Sequence, residues 1–197
     1  MHVLYTNADC LLNKLSELKV IASSNRYQVI CITESDLNDD ILNAEIQIPS
    51  FGKMYLANRK FGVKGGSIVY VHDSVTSEQL DILGGSESLA IKLTIGTINF
   101  ILVYLYRSPS LTVQQNNELL EQLKLLPDDP TQNVIMVGDV NLPDVDWHLG
   151  TVLAPAGTTN VKLVNQQKYM DFFIEKGLMW YIKDKIRNSQ QFLKAVY

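Results

Sequence analysis

The chain has 197 residues, 46% of them apolar, and a formal net charge of −4. That length and apolar content predict a single domain over residues 1–197 with a sizeable core, and no apolar run reaches the length of a membrane span. The net charge excludes a global electrostatic attraction for nucleic acid, so polyanion binding would require a local basic face or a bound cation. The N-terminus enters a strand-like pattern without a basic and apolar leader, so an intracellular protein, nuclear or cytoplasmic, is expected.

His2 to Thr6 is a predicted strand, followed by Asn7. Leu11, Leu15, Leu18, Ile21 and Ala22 recur at helical spacing, and Ser23-Ser24-Asn25 closes that helix. Gln28 to Thr33 is a second strand, ending at Glu34. A strand, helix, strand unit predicts a parallel pair with Asn7 and Glu34 at the same edge. Cys10 and Cys31 form no metal-like pair, and Cys31, inside an apolar run, reads as a buried thiol. Residues 36–49 are polar and turn-rich, and Lys53 to Asn58 is strand-like. Arg59 to Gly66 is a basic, glycine-containing loop; it lacks the P-loop pattern and no helix follows it, so it reads as a solvated connection. Ser67 to His72 forms the next strand.

Leu89 to Ile95 and Ile98 to Tyr106 flank Gly96-Thr97, a connection that fits a type II′ hairpin turn. Thr112 is a predicted N-cap for a helix marked by Leu119, Leu120, Leu123 and Leu126, which Pro127 to Pro130 ends. The apolar run Val134 to Val137 then enters Gly138-Asp139-Val140-Asn141-Leu142-Pro143. Such a run suits a strand buried on both faces, with Asp139 and Asn141 emerging at its end. Gly, Asp, Asn and Pro also favour turns, so this exit alone reads equally as a strand-to-turn transition. Four strand ends nevertheless present Asn7, Glu34, Tyr106 with Arg107, and Asp139 with Asn141; one site at the rim of packed sheets accounts for all of them together. Beyond Pro143, Asp144 to His148 is a polar loop, in which His148 has no partner at metal-ligand spacing. Val161 to Lys176 is a predicted helix with Gly177 at its C-cap. Lys183, Lys185, Arg187 and Lys194 punctuate a tail whose structure the pattern does not specify.

Glu34 and Asp139 with the amides of Asn7 and Asn141 form an all-oxygen donor set suited to Mg²⁺ or Mn²⁺. Such an ion acts as a Lewis acid on a phosphodiester, and Tyr106 and Arg107 are placed to donate to the same phosphate.

Tyr5-Thr6-Asn7, Ile32-Thr33-Glu34, Val103 to Pro109, and Gly138 to Trp147 resemble, in order and spacing, the endonuclease/exonuclease/phosphatase superfamily. The Asn-Leu-Pro-Asp-x-Asp-Trp ending and the Tyr-Arg-x-Pro segment are similar to the endonuclease domain of non-LTR retrotransposons, which precedes a reverse transcriptase. The resemblance implies a deoxyribonuclease-I-like, two-sheet α/β sandwich of mixed sheets with outer helices and a site at one edge. By the same resemblance Glu34 binds Mg²⁺ with Asn7 nearby, Asp139 holds or activates the attacking water, Asn141 binds the phosphate and Tyr106 lines its pocket. The implied reaction cuts one DNA strand and leaves a 3′-hydroxyl.

The superfamily pattern ends in a Ser-Asp-His segment, to which nothing here corresponds. A truncated copy or fragment is therefore expected, with the second sheet short of strands and the rate reduced by about 10² to 10⁴ for the missing acid/base role. Two further readings keep the fold: an inactive remnant that only binds, and a hydrolase of a lipid head group.

Overall fold

The strand, helix, strand reading of the N-terminal segment holds in the computed structural model, which describes residues 1–38, 40–57, 65–129, 131–154, 156–157, 159–178 and 195–196. The basic loop from Arg59 to Lys64, Asn58 at the end of a predicted strand, and the cationic tail lie outside the described residues. The chain divides into two compact units interleaved in sequence: Met1–Tyr106 with Pro130–Asp139 and Asn188–Tyr197, and Arg107–Asp129 with Val140–Arg187.

In the first unit, β1 (His2–Asn7) crosses through α1 (Leu11–Ala22) to β2 (Val29–Thr33), which pairs parallel with it in the register Asn7↔Thr33. The one-turn helix α2 (Asn43–Ile46) falls in the stretch that reads as turns, too short to give a periodic signal. Strands β3 (Lys53–Ala57) and β4 (Ser67–Val71) follow, both antiparallel to their neighbours. Alternation then assigns the faces. Leu4, Ile30, Ile32, Ile68 and Tyr70 pack with Leu11, Leu15 and Leu18 of α1, while Val3, Tyr5, Val29, Cys31, Val69 and Val71 face the opposite way. Every residue of β2 and β4 is buried, which explains their unbroken apolar runs.

The second sheet has the order β5-β6-β7-β8, formed by β5 (Thr76–Leu80), β6 (Leu89–Ile95), β7 (Ile98–Tyr106) and β8 (Asn133–Asp139). Gly96 turns the β6–β7 hairpin at φ 61° with Ile95 opposite Ile98, as the glycine-first connection predicts. Strand β8 is parallel to β7 and is the last strand of this sheet among the described residues. The inner faces of the two sheets share one core, in which Tyr5, Cys31 and Val69 meet Ile91, Leu102, Tyr104, Ile135 and Val137. Each fully buried aliphatic side chain contributes about 1.5–3 kcal/mol, so this shared layer dominates the stability of the unit. The edges also clasp. Lys53 Nζ donates to the Ser77 carbonyl at 3.0 Å, and Tyr55 Oη to Ser77 Oγ at 2.8 Å, tying β3 to β5.

The second unit contains α3 (Val113–Lys124), the two-residue strands β9 (Val145–Asp146) and β10 (Thr151–Val152), and α4 (Asn160–Glu175). Thr112 caps α3 as predicted: its Oγ1 accepts from the Gln115 amide at 3.2 Å, and Gln115 Oε1 accepts from the Thr112 amide at 2.9 Å. Gly177, at φ 63°, ends α4 in a Schellman motif, with the amides of Leu178 and Gly177 donating to the carbonyls of Phe173 and Ile174. Residues 195–196 form β11 (Ala195–Val196), which pairs antiparallel with β1 in the first unit.

Candidate functional site

Parallel pairing sets the strand ends. Asn7 lies beside Thr33, so Glu34 is the next residue out on β2; in the second sheet Tyr106 lies directly beside Asp139. The two sheets end together. The rings of Tyr5 and Tyr104 stand 6.4 Å apart across the core, and the Tyr5 hydroxyl bonds Thr33 Oγ1 at 3.3 Å. Burial pushes the Tyr5 phenol above its ordinary pKa, the Thr33 bond opposes that shift, and the negative charges of Asp139 and Glu34 add to it. The two parallel registers and the Tyr5–Tyr104 contact together bring the strand ends that carry Glu34 and Asp139 to the same end of this unit.

The backbone at this end is strained. Glu34 has φ 51° and Asp36 φ 52°, a region that costs an L-residue about 1–2 kcal/mol. The Glu34 carbonyl accepts from the Cys10 amide at 3.0 Å, and the amides of Ser35 and Asp36 donate to Gly66 and Gly65 at 3.2 and 2.8 Å. Asp36 Oδ1 accepts in return from the Gly65 amide at 2.6 Å, and Glu87 Oε2 from the Gly66 amide at 2.7 Å. Strain held by so many bonds is characteristic of positions where a side chain must point in one direction. Asn7 accepts from the Asp9 amide through Oδ1 at 3.0 Å, forming an Asx turn into α1, and its oxygen keeps a second lone pair. Tyr106 is 6% exposed, and Ser88 Oγ bridges its amide and carbonyl at 3.1 and 3.2 Å. Gly138 is fixed sterically: at φ 139°, a Cβ there would lie 1.9 Å from the Leu105 carbonyl oxygen. Its lack of a side chain lets β8 approach β7 immediately before Asp139.

Among the described residues no group of three or more His, Cys, Asp and Glu side chains gathers as a metal centre. A hard divalent cation that keeps its waters needs only one or two carboxylates, however, and the first unit supplies two together with an amide oxygen. The surroundings fit such an ion, because buried hydroxyls cluster here: Ser67 and Thr33 lie close enough to the Tyr104 phenol to oppose the rise in its pKa, and the buried Ser35 hydroxyl has no hydrogen-bond partner among the described residues. Ser35 adjoins Glu34 in the chain and Ser67 pairs with Thr33, so this end of the core is polar and suited to water.

In the second unit Asn141 also has a positive φ, 46°. Its Nδ2 donates to the Arg107 carbonyl at 3.0 Å, and Arg107 Nη1 donates back to the Asn141 carbonyl at 2.8 Å. Arg107, expected to face a phosphate, is only 8% exposed, with Nε on Asn116 Oδ1 at 2.8 Å and its guanidinium 5.4 Å from the Tyr169 ring centre. The acidic end of the motif serves the architecture. Asp144 and Gln166 bond reciprocally at 2.9 and 2.7 Å, Asp146 Oδ1 accepts from the amides of His148 and Leu149, and Trp147 packs near Phe173.

The residues that sequence reasoning missed are the supports: Asp36, Glu87, Ser88 and Asn116. None stands in a local pattern: Asp36, Glu87 and Ser88 act on backbone 18 to 29 positions away, and Asn116 on the Arg107 side chain 9 positions back. The buried Cys31 agrees with its reading, its thiol pushed up by burial.

The endonuclease domain of TRAS1, a telomere-specific non-LTR retrotransposon, superposes with a TM-score of 0.58 at 18% identity, over 89% of this chain and 72% of that one. The chain has the fold of these endonucleases. The AP endonuclease LMAP from Leishmania major matches with a TM-score of 0.61 at 15% identity, over 89% of this chain and 66% of that one. An AP endonuclease from Archaeoglobus fulgidus gives 0.55 at 16%, over 89% and 70%. This chain thus spans about two thirds of the length of the structures it matches. No protein-family profile matches the sequence, and no curated protein sequence matches it.

Proposed function

We propose that the chain is a divalent-cation-dependent phosphodiesterase of the endonuclease/exonuclease/phosphatase superfamily that nicks DNA, of the kind retrotransposons carry ahead of a reverse transcriptase. The observation that supports this reading is the strand register of the first unit: Asn7 lies beside Thr33 next to Glu34, Tyr106 lies beside Asp139, and the Tyr5 and Tyr104 rings, two residues before Asn7 and Tyr106, stand 6.4 Å apart between the two sheets. The shared fold with DNA-cutting enzymes supports the substrate class.

Glu34, Asp139 and the Asn7 carbonyl oxygen would hold Mg²⁺ or Mn²⁺, which when bound supplies Lewis-acid stabilisation of the leaving oxygen. The Asp139 carboxylate accepts a proton from the attacking water and orients it toward phosphorus. As the new P–O bond forms and the bond to the 3′ oxygen breaks, that oxygen takes a proton from solvent, while Asn141 Nδ2–H and the Tyr106 hydroxyl donate to the non-bridging oxygens.

The test is conversion of supercoiled plasmid to open circles with Mg²⁺, with and without chelator, by the parent chain, Glu34→Ala and Asp139→Ala. Nicking by the parent, lost in both variants and on chelation, is the expected result. Nicking that survives both substitutions overturns the site. DNA binding without any nicking identifies a binding remnant, and hydrolysis of a phosphoinositide or sphingomyelin without nicking moves the substrate to a lipid head group.

A further inference from the structure

Arg107 is a buried cation held by protein groups on several sides. Its Nε meets Asn116 Oδ1 at 2.8 Å, its Nη1 meets the Asn141 carbonyl at 2.8 Å and approaches that of Val140 at 3.5 Å, and Tyr169 lies 5.4 Å under the guanidinium. Asn116, 1% exposed, is itself oriented: its Nδ2 donates to the carbonyls of Leu111 and Thr112 at 3.1 and 2.8 Å, which leaves Oδ1 to face Arg107. The main chain of Arg107 completes the clamp. A carbonyl can only accept, so the 3.0 Å bond from Asn141 Nδ2 to the Arg107 oxygen selects the NH₂ end of that amide and prevents it from flipping. Arg107 thus holds Asn141 twice, by its side chain on the Asn141 backbone and by its backbone on the Asn141 side chain. The held residue sits at φ 46°, a conformation that needs outside support.

We infer that Arg107 is a positioning residue, which with Asn116 and Tyr169 fixes the direction of the Asn141 amide and makes no contact with the phosphate itself. The inference rests on the assignment of Asn141 to the scissile phosphate. A planar fork suits this task because one group reaches acceptors on two segments at once; a lysine ammonium keeps the charge and loses the fork.

Two measurements test it, on the parent chain, Arg107→Lys and Asn116→Ala. In single-turnover plasmid nicking with Mg²⁺, both variants are expected to lose about 10- to 100-fold in kcat with KM and salt dependence unchanged, since only the alignment of a donor is disturbed. If Arg107 instead touches a phosphate, Arg107→Lys restores most of the rate, and Arg107→Ala raises KM and lowers the salt slope by about one contact. In ¹⁵N NMR, the side-chain NH₂ of Asn141, assigned by its loss in Asn141→Ala, is expected to exchange at least tenfold faster in both variants. An unchanged Asn141 amide overturns the inference, as does full kcat in Arg107→Lys. If the parent nicks nothing, the proposed function fails, and the NMR measurement alone decides whether Arg107 holds Asn141.

Discussion

A methyl group on Gly138 would stand 1.9 Å from the Leu105 carbonyl oxygen, and the neighbour is rigid strand backbone. Gly138→Ala must therefore push β8 away from β7, with an expected destabilisation of about 3 kcal/mol by urea unfolding; a loss below about 1 kcal/mol would show that the strands give way easily. Glu34 allows stability to be separated from chemistry. At φ 51° alanine shares the strain of glutamate and glycine does not, so Glu34→Gly should be more stable than Glu34→Ala by about 0.5–1 kcal/mol, with nicking abolished in both. Equal stabilities would mean that the strain is small. At this scale the sequence showed residue types at strand ends, and Asn7, Glu34, Asp139 and Tyr106 do stand at or just beyond the ends of β1, β2, β8 and β7. It did not show direction: that the Arg107 guanidinium meets Asn116 Oδ1 is visible only in the fold.

Elements with strong local signals were legible. Leu11 to Ala22, the Gly96 hairpin, the Thr112 cap and the Gly177 stop all stand where period, turn and capping chemistry put them. Strand β5 was not visible, because Thr76-Ser77-Glu78-Gln79-Leu80 is a polar edge strand in which only Ser77 is buried, and it lacks the alternation that marks a half-buried strand. Helix α4 read as an uneven apolar face because polar Asn165 and Gln166 are buried in it beside Tyr169 and Met170. The capping box makes a prediction for α3: Thr112→Ala should cost about 1 kcal/mol of thermal stability. Because Asn116 lies on the same first turns, a lower nicking rate should accompany that loss; a variant with unchanged melting would show that the cap contributes nothing.

For the whole molecule, pH dependence follows from buried phenols in both units. Burial raises Tyr5, Tyr70 and Tyr104 in the first unit, and raises Tyr169 in the second to about 12, the Arg107 cation opposing that last shift. A phenol whose folded pKa exceeds its unfolded one stabilises the native state fully below the unfolded value of 10.0, and that contribution is lost as pH rises through the folded value. Unfolding free energy from these groups should be flat to about pH 9 and fall from pH 10 upward, with phenolate absorbance rising together with loss of structure. Phenolate appearing at pH 10 in a fully folded chain would contradict the burial of these rings. What the sequence could not convey at this scale is the division into units, since contiguous stretches such as Val134 to Asn141 pass from one to the other.

The left-handed backbone at Glu34 has a further consequence for engineering. A single base change turns a glutamate codon into a glycine codon, and glycine adopts this conformation without the strain that any side chain meets there. Selection of variants for stability alone would therefore be expected to remove the carboxylate from this strand end, whereas the core residues around it would be kept by folding.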